Sequence, residues 1–225
     1  AMINFNLDGV GFAAALPRMI DTLIGCALAW FGVSFIFPDW KFRRLSRTIN
    51  RSLTAQCNYL AEVAEQYKYG RNNGLKYRVI RRAAHNNDAE VASLISTLAT
   101  EPDFDPTQKT LAFEFLCLNH TLLSYIAALG AHREKIEDQE VLTLLDLAVE
   151  NIQGSLLKDE APDLNAQNML DTIRQRLSSN NKDDQKALIV LQQLSLMLSI
   201  LNQLSRLKQS LSHDRDDKAT ELASL

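Results

Sequence analysis

Residues 23–37 carry no charged side chain, and Lys41, Arg43, Arg44 and Arg47 follow almost at once in LPRMIDTLIGCALAWFGVSFIFPDWKFRRLSR (residues 16–47). That stretch restricts the chain to two choices: the core helix of a soluble bundle, or one span of a membrane protein. A helix begun at Pro17 and stopped before Pro38 is roughly 31 Å long, the thickness of a hydrocarbon core. Proline suits a first helical position and also ends a helix. Past Asp21 the only polar side chains are Thr22 and Ser34, so the helix has no wet face of the kind a soluble core helix keeps. Trp40 sits where an interfacial aromatic belt would be. The reading favoured is a span. The Lys/Arg excess on its C-terminal side makes the rest of the chain cytoplasmic by the positive-inside rule. A signal peptide fits poorly, because no positive charge precedes Arg18 and no small-residue cleavage site follows the run.

Gly25, Ala29, Gly32 and Ser34 are small enough for close helix approach, so the span is expected to pack against other membrane helices. Arg18 and Asp21 are costly if they face lipid. Either they neutralise each other at the interface or, with Thr22 and Gly25, they line a polar path.

Charge is unevenly distributed. The formal net charge is −3, yet residues 41–82 hold eleven Lys/Arg against Glu62 and Glu65, and residues 83–225 hold twelve against 22 Asp/Glu. The basic block, with Lys41, Arg43, Arg44, Arg47 and Arg51 at its start, adjoins the span. Anionic lipid is therefore its expected partner. No nucleic-acid motif accompanies the charge, and nucleic acid is not expected to bind. Cys26, Cys57 and Cys117 are odd in number and far apart, which fits a reducing compartment rather than a disulfide framework.

Everything after the span reads as helix. The expected segments are residues 39–69, 75–100, 105–129, 138–157, 163–178 and 183–211, with breaks at Gly70–Gly74 and Pro102 and a stop at Gly130. The last helix has a broad apolar face, but its apolar stretch, residues 188–201, is short and contains Gln192 and Gln193, so it reads as too short and too polar for a second span. The fold expected is all-α: one long apolar transmembrane helix followed by a cytoplasmic bundle of about six helices. The corresponding division is a connector (1–16), the last transmembrane helix (17–38), a helical domain (39–213) and a flexible tail (214–225).

No phosphate loop, nucleophile elbow or zincin motif occurs, so neither enzymatic activity nor a cofactor is expected. RVIRRAAHNNDAE puts Arg78, Arg81, Arg82 and His85 on one helical face, with Asp88 one turn on. Asn119 and His120 fall among leucines. These residues, with His132, read as a polar network that fixes helix register or as a partner contact. A metal site would need further ligands. His120 is expected to be buried and to bond, with Asn119, to the helix carrying His85 and Asp88.

ALPRMIDTLIGCALAWFGVSFIFPDWKFR, AHNNDAE and LCLNHTLLSYIAALGAHRE together resemble the C-terminal part of the YccS-type inner-membrane proteins of the wider fusaric-acid-resistance-like (FUSC) family. The first stretch is the more general family pattern, and the other two belong to the YccS-like branch. The resemblance runs from about residue 6 to residue 157. It implies the bacterial inner membrane, repeated sets of membrane helices with cytoplasmic helical regions, and an efflux activity. It also implies that this chain carries only the last membrane helix, with the remaining helices of a longer parent as partners and a homo-oligomer expected. The function expected is a regulatory or assembly domain of an exporter. The alternative is a membrane-tethered helical scaffold without transport.

Overall fold

A computed structural model describes residues 10–32, 40–100, 105–132, 134–158, 164–179 and 185–223. Among them every regular element is helical, and no strand occurs. The helices are α1 (Val10–Phe31), α2 (Trp40–Tyr69), α3 (Leu75–Ala99), α4 (Pro106–Ala131), α5 (Gln139–Leu157), α6 (Leu164–Ser179) and α7 (Gln185–Ala223). The chain divides into two compact units, Ala1–Arg43 and Arg44–Leu225.

In the first unit, α1 begins seven residues before Pro17 and runs through it. The expected start at Pro17, and with it the connector before it, is therefore corrected for residues 10–16. Proline removes one backbone donor and crowds the preceding turn. The run of Ala13, Ala14 and Ala15 ahead of it consists of strong helix formers, which carry the helix across. The 22 residues of α1 span roughly 33 Å. From Leu16 to Phe31 every side chain is exposed, including Met19, Leu23, Leu28 and Trp30 at 62–68 %. The expected stop before Pro38 lies outside the described residues.

In the second unit the boundaries follow local chemistry. Asp105 caps α4 by accepting from the Thr107 N–H, with Pro106 at the first position where no donor is needed. Asp138 caps α5, accepting from the N–H groups of Glu140 and Val141. Gly70 ends α2 with φ of +96°, a conformation that favours glycine. Lys208 of α7 donates from Nζ to the carbonyl of Leu156, so a buried ammonium satisfies the C-terminal end of α5, where the helix dipole favours a cation.

Helices α4 and α7 pack extensively against each other. Helix α3 adds to α4, while α5 and α6 add to α7. Helix α2 is a core element: Leu45, Ile49, Leu53, Cys57, Leu60, Val63 and Tyr67 are at most 2 % exposed. They meet a core that includes Phe115, Leu122 and Ile126 of α4 and Leu191, Leu194 and Leu201 of α7, all buried to the same degree.

Two expectations are corrected here. Pro106–Ala131 and Lys186–Ser212 are each long and apolar enough to cross a membrane, with mean hydropathies of 1.3 and 1.5, so one helix of spanning composition was an undercount. Residues 188–201 alone, with Gln192 and Gln193 among them, are too short and too polar for a span. Averaged over a longer window, Gln192 and Gln193 are outweighed by the leucines on either side. Secondly, α7 continues to Ala223, where a flexible tail was expected from residue 214. No glycine or proline interrupts residues 185–223, and Lys218, Ala219, Glu221 and Leu222 favour helix.

Candidate functional site

Helices α2, α3 and α4 bring five polar side chains together. On α2, Ser52 and Gln56 lie one turn apart and are fully buried. On α3, Asp88 is 7 % exposed, and on α4 Asn119 is fully buried. The Asn119 side-chain amide donates to Asp88 Oδ1 at 2.7 Å and to Ser52 Oγ at 3.3 Å. Gln56 Nε2 donates to the Asn119 carbonyl at 3.3 Å. His120 Nδ1 lies 2.8 Å from Asp88 Oδ2. An ionised carboxylate only accepts, so the hydrogen is on Nδ1. The cluster thus answers the cost of burying a carboxylate with two donors from the neighbouring helix.

His120 itself is not buried: its side chain is 68 % exposed. Successive helical residues point about 100° apart, so when Asn119 faces the core His120 must stand at the α3–α4 seam. It reaches Asp88 from outside. Sequence reasoning missed Ser52 and Gln56, although their spacing was a signal: two polar residues at i, i+4 inside the Ile49–Leu53–Leu60 stripe.

His85 is on the outer side of α3, its ring centroid 6.4 Å from that of Tyr59. Partial burial first, and the Arg81 guanidinium second, hold its pKa below the usual histidine value. Arg78, Arg81 and Arg82 are exposed beside it. His132 is not part of this cluster. It is the exposed C-cap of α4, where its charge, after Lys186 and Arg71, helps hold the Glu134 carboxyl below its usual range. Its placement in the network is corrected: three turns of α4 separate it from His120. Among the described residues no three of His, Cys, Asp and Glu come close enough to hold a metal ion.

Below this cluster, Tyr59 and Tyr77 share a hydrogen bond of 3.1 Å, and Tyr67 Oη donates to the Leu129 carbonyl at 2.8 Å. Gly130 lies against them. It is helical and buried, so the expected stop there is corrected: a Cβ at Gly130 would sit 2.9 Å from Tyr59 Oη and 3.2 Å from Tyr77 Oη. Cys57 is buried, which pushes its thiol up to about 12, whereas Cys26 and Cys117 are exposed and all three are free.

At the start of α2, Arg44, Arg47 and Arg51 are exposed, and Arg51 lies 3.7 Å from Glu90 of α3. The side chains of Lys41 and Arg43 lie outside the described residues. On α1, Arg18 and Asp21 are both exposed and make no ion pair with each other. Thr22 Oγ1 donates back to the Arg18 carbonyl at 2.8 Å, and nothing lies within 4 Å of a Cβ placed on Gly25.

Fold and site together define an all-helical domain with a buried polar seam, preceded by an apolar helix long enough to span a bilayer. The chain is 45 % identical over 212 residues to the inner membrane protein YccS of Escherichia coli (strain K12), an overlap covering 94 % of this chain and 30 % of that protein. An uncharacterized protein of Haemophilus influenzae is 38 % identical over 138 residues, 61 % of this chain and 19 % of its own length. Uncharacterized protein ORF2 of Neisseria gonorrhoeae is 35 % identical over 146 residues, 64 % of this chain and 35 % of its own. The chain thus spans about a third or less of the relatives it matches. The similarity to YccS-type inner-membrane proteins holds over almost the whole chain, further than the three recognised segments reach. No family model matches, and no solved structure matches.

Proposed function

We propose that this chain is the membrane-anchoring helix and cytoplasmic helical domain of a FUSC-like inner-membrane exporter, where the domain regulates or assembles the transporter. The observation that carries the reading is α1. Its apolar side chains are exposed around the whole circumference, while residues 44–225 form a compact unit with its own core. A soluble monomer does not keep an apolar surface of that extent in water. Lipid and neighbouring membrane helices cover it, and Arg18 and Asp21 meet those helices rather than lipid. The YccS relative supports the inner membrane, and the basic start of α2 supports a cytoplasmic bundle. Arg44, Arg47 and Arg51 then lie against anionic lipid, together with Lys41 and Arg43.

The test is an efflux and proton-flux assay on a full-length relative, with and without the region equivalent to residues 39–225. Transport that persists but loses its control or its oligomeric state supports the regulatory role. A full-length protein that moves no substrate under any condition, while its domain still captures partners, leaves the tethered scaffold in its place.

A further inference from the structure

We propose that the exposed face of α3 carrying Arg78, Arg81 and Arg82 binds anionic phospholipid headgroups, so that this face docks on the membrane that α1 enters. The proposal rests on the reading of α1 as a span. Most other described cations on α2 and α3 are paired: Lys68 with Asp146, Lys76 with Glu62, Arg51 with Glu90. Arg78, Arg81 and Arg82 make no ion pair with any described residue, although a net charge of −10 over residues 83–225 supplies abundant carboxylates. They flank a groove of about 630 Å³ that also includes Tyr77 and His85. Two large apolar side chains stand among them, Leu75 at 76 % and Val79 at 55 % exposure. Positions 75, 78, 79 and 82 recur at three and four, so they share one face of the helix.

Exposed leucine and valine interleaved with arginine is the composition of a surface that lies in a bilayer interface, with apolar side chains entering the headgroup boundary and cations meeting phosphate. Guanidinium groups suit phosphate oxygens, which they can hold by two parallel hydrogen bonds. A nucleic acid would use the charge and leave the apolar side chains wet. The tether supplies the rest: a domain held to a membrane by α1 meets that membrane at high effective concentration, so a weak second contact is enough.

The experiment uses the full chain with Cys26→Ser, Cys117→Ser and Val79→Cys, labelled at position 79 with an environment-sensitive fluorophore. It is reconstituted into nanodiscs of phosphatidylcholine, alone or mixed with phosphatidylglycerol. The expected result is a blue shift and loss of quenching by an aqueous quencher in the anionic discs only. Both effects are reversed by high salt and absent when Arg78, Arg81 and Arg82 are changed to glutamine. These residues are exposed, and an unchanged melting temperature verifies that the variant is folded. Emission that is identical in the two discs overturns the proposal. So does a shift that requires two copies per disc, which would identify a second chain as the occupant. A chain that enters neither disc would instead refute the span, a result distinguishable from inserted chain with an indifferent label.

Discussion

Asn119 and His120 are neighbours in sequence, yet they have different physical roles. The Asn119 amide is fully buried and holds Asp88 and Ser52 at once, while the His120 ring holds Asp88 from solvent. Asn119→Ala leaves a buried carboxylate short of a donor and should cost about 1–3 kcal/mol. For a domain of this size that lowers the melting temperature by roughly 2–4 °C per kcal/mol. His120→Ala removes an exposed pair and should cost less than about 1 kcal/mol. Thermal melts of the two variants check the order, and a larger loss from His120→Ala would contradict it. His85 sets a pH dependence. Its folded pKa lies below the unfolded value, so as pH falls through about 6.5 the unfolded chain takes the proton first and stability declines. His85→Gln should flatten that part of the stability–pH curve, and an unchanged slope would show that other groups cause it. The sequence showed that Asn119 and His120 of α4 bond to the helix that carries Asp88. It did not show which of two adjacent residues faces inward, because that depends on the rotation of α4 against α2 and α3.

At the scale of elements, the helix starts were legible wherever a cap or a breaker dictates them. Asp105–Pro106, Asp138 and the Gly70–Gly74 turn act through their own backbone chemistry, independent of tertiary packing. Pro17 and Gly130 were misread for one reason. Each is a breaker in isolation, but α1 has alanines that carry it across Pro17, and α4 uses Gly130 as a contact surface. Gly130→Ala tests the second point. Alanine gains about 1 kcal/mol of helix propensity. The new Cβ must displace Tyr59 Oη, the end of a rigid, fully buried side chain, at an overpacking cost of roughly 1–3 kcal/mol. The expected outcome is a net loss of stability of about 1 kcal/mol in chemical denaturation. A gain would mean that α4 can slide away from α2 at no cost. The continuation of α7 past residue 211 was missed because a polar segment without apolar periodicity reads as coil, although propensity alone permits helix there.

For the whole molecule, the division into an apolar helix and a self-contained helical unit was legible in the hydropathy and charge of residues 16–51. Less legible was the status of α4 and α7, whose composition satisfies a membrane as well as a core. Their inner faces bury Phe115, Leu122, Leu191 and Leu194 against each other and against α2, with a carboxylate-bearing polar cluster alongside, whereas more than half of each helix's apolar stretch is not buried. The most direct measurement is therefore removal of residues 1–38, followed by fractionation and circular dichroism of what remains. The account predicts that residues 39–225 leave the membrane fraction after a high-salt wash, stay soluble without detergent, and melt cooperatively from a helical state. Protein that remains in the membrane after that wash would make α4 and α7 spans, and a truncated chain that is soluble only when unfolded would make α1 part of the core.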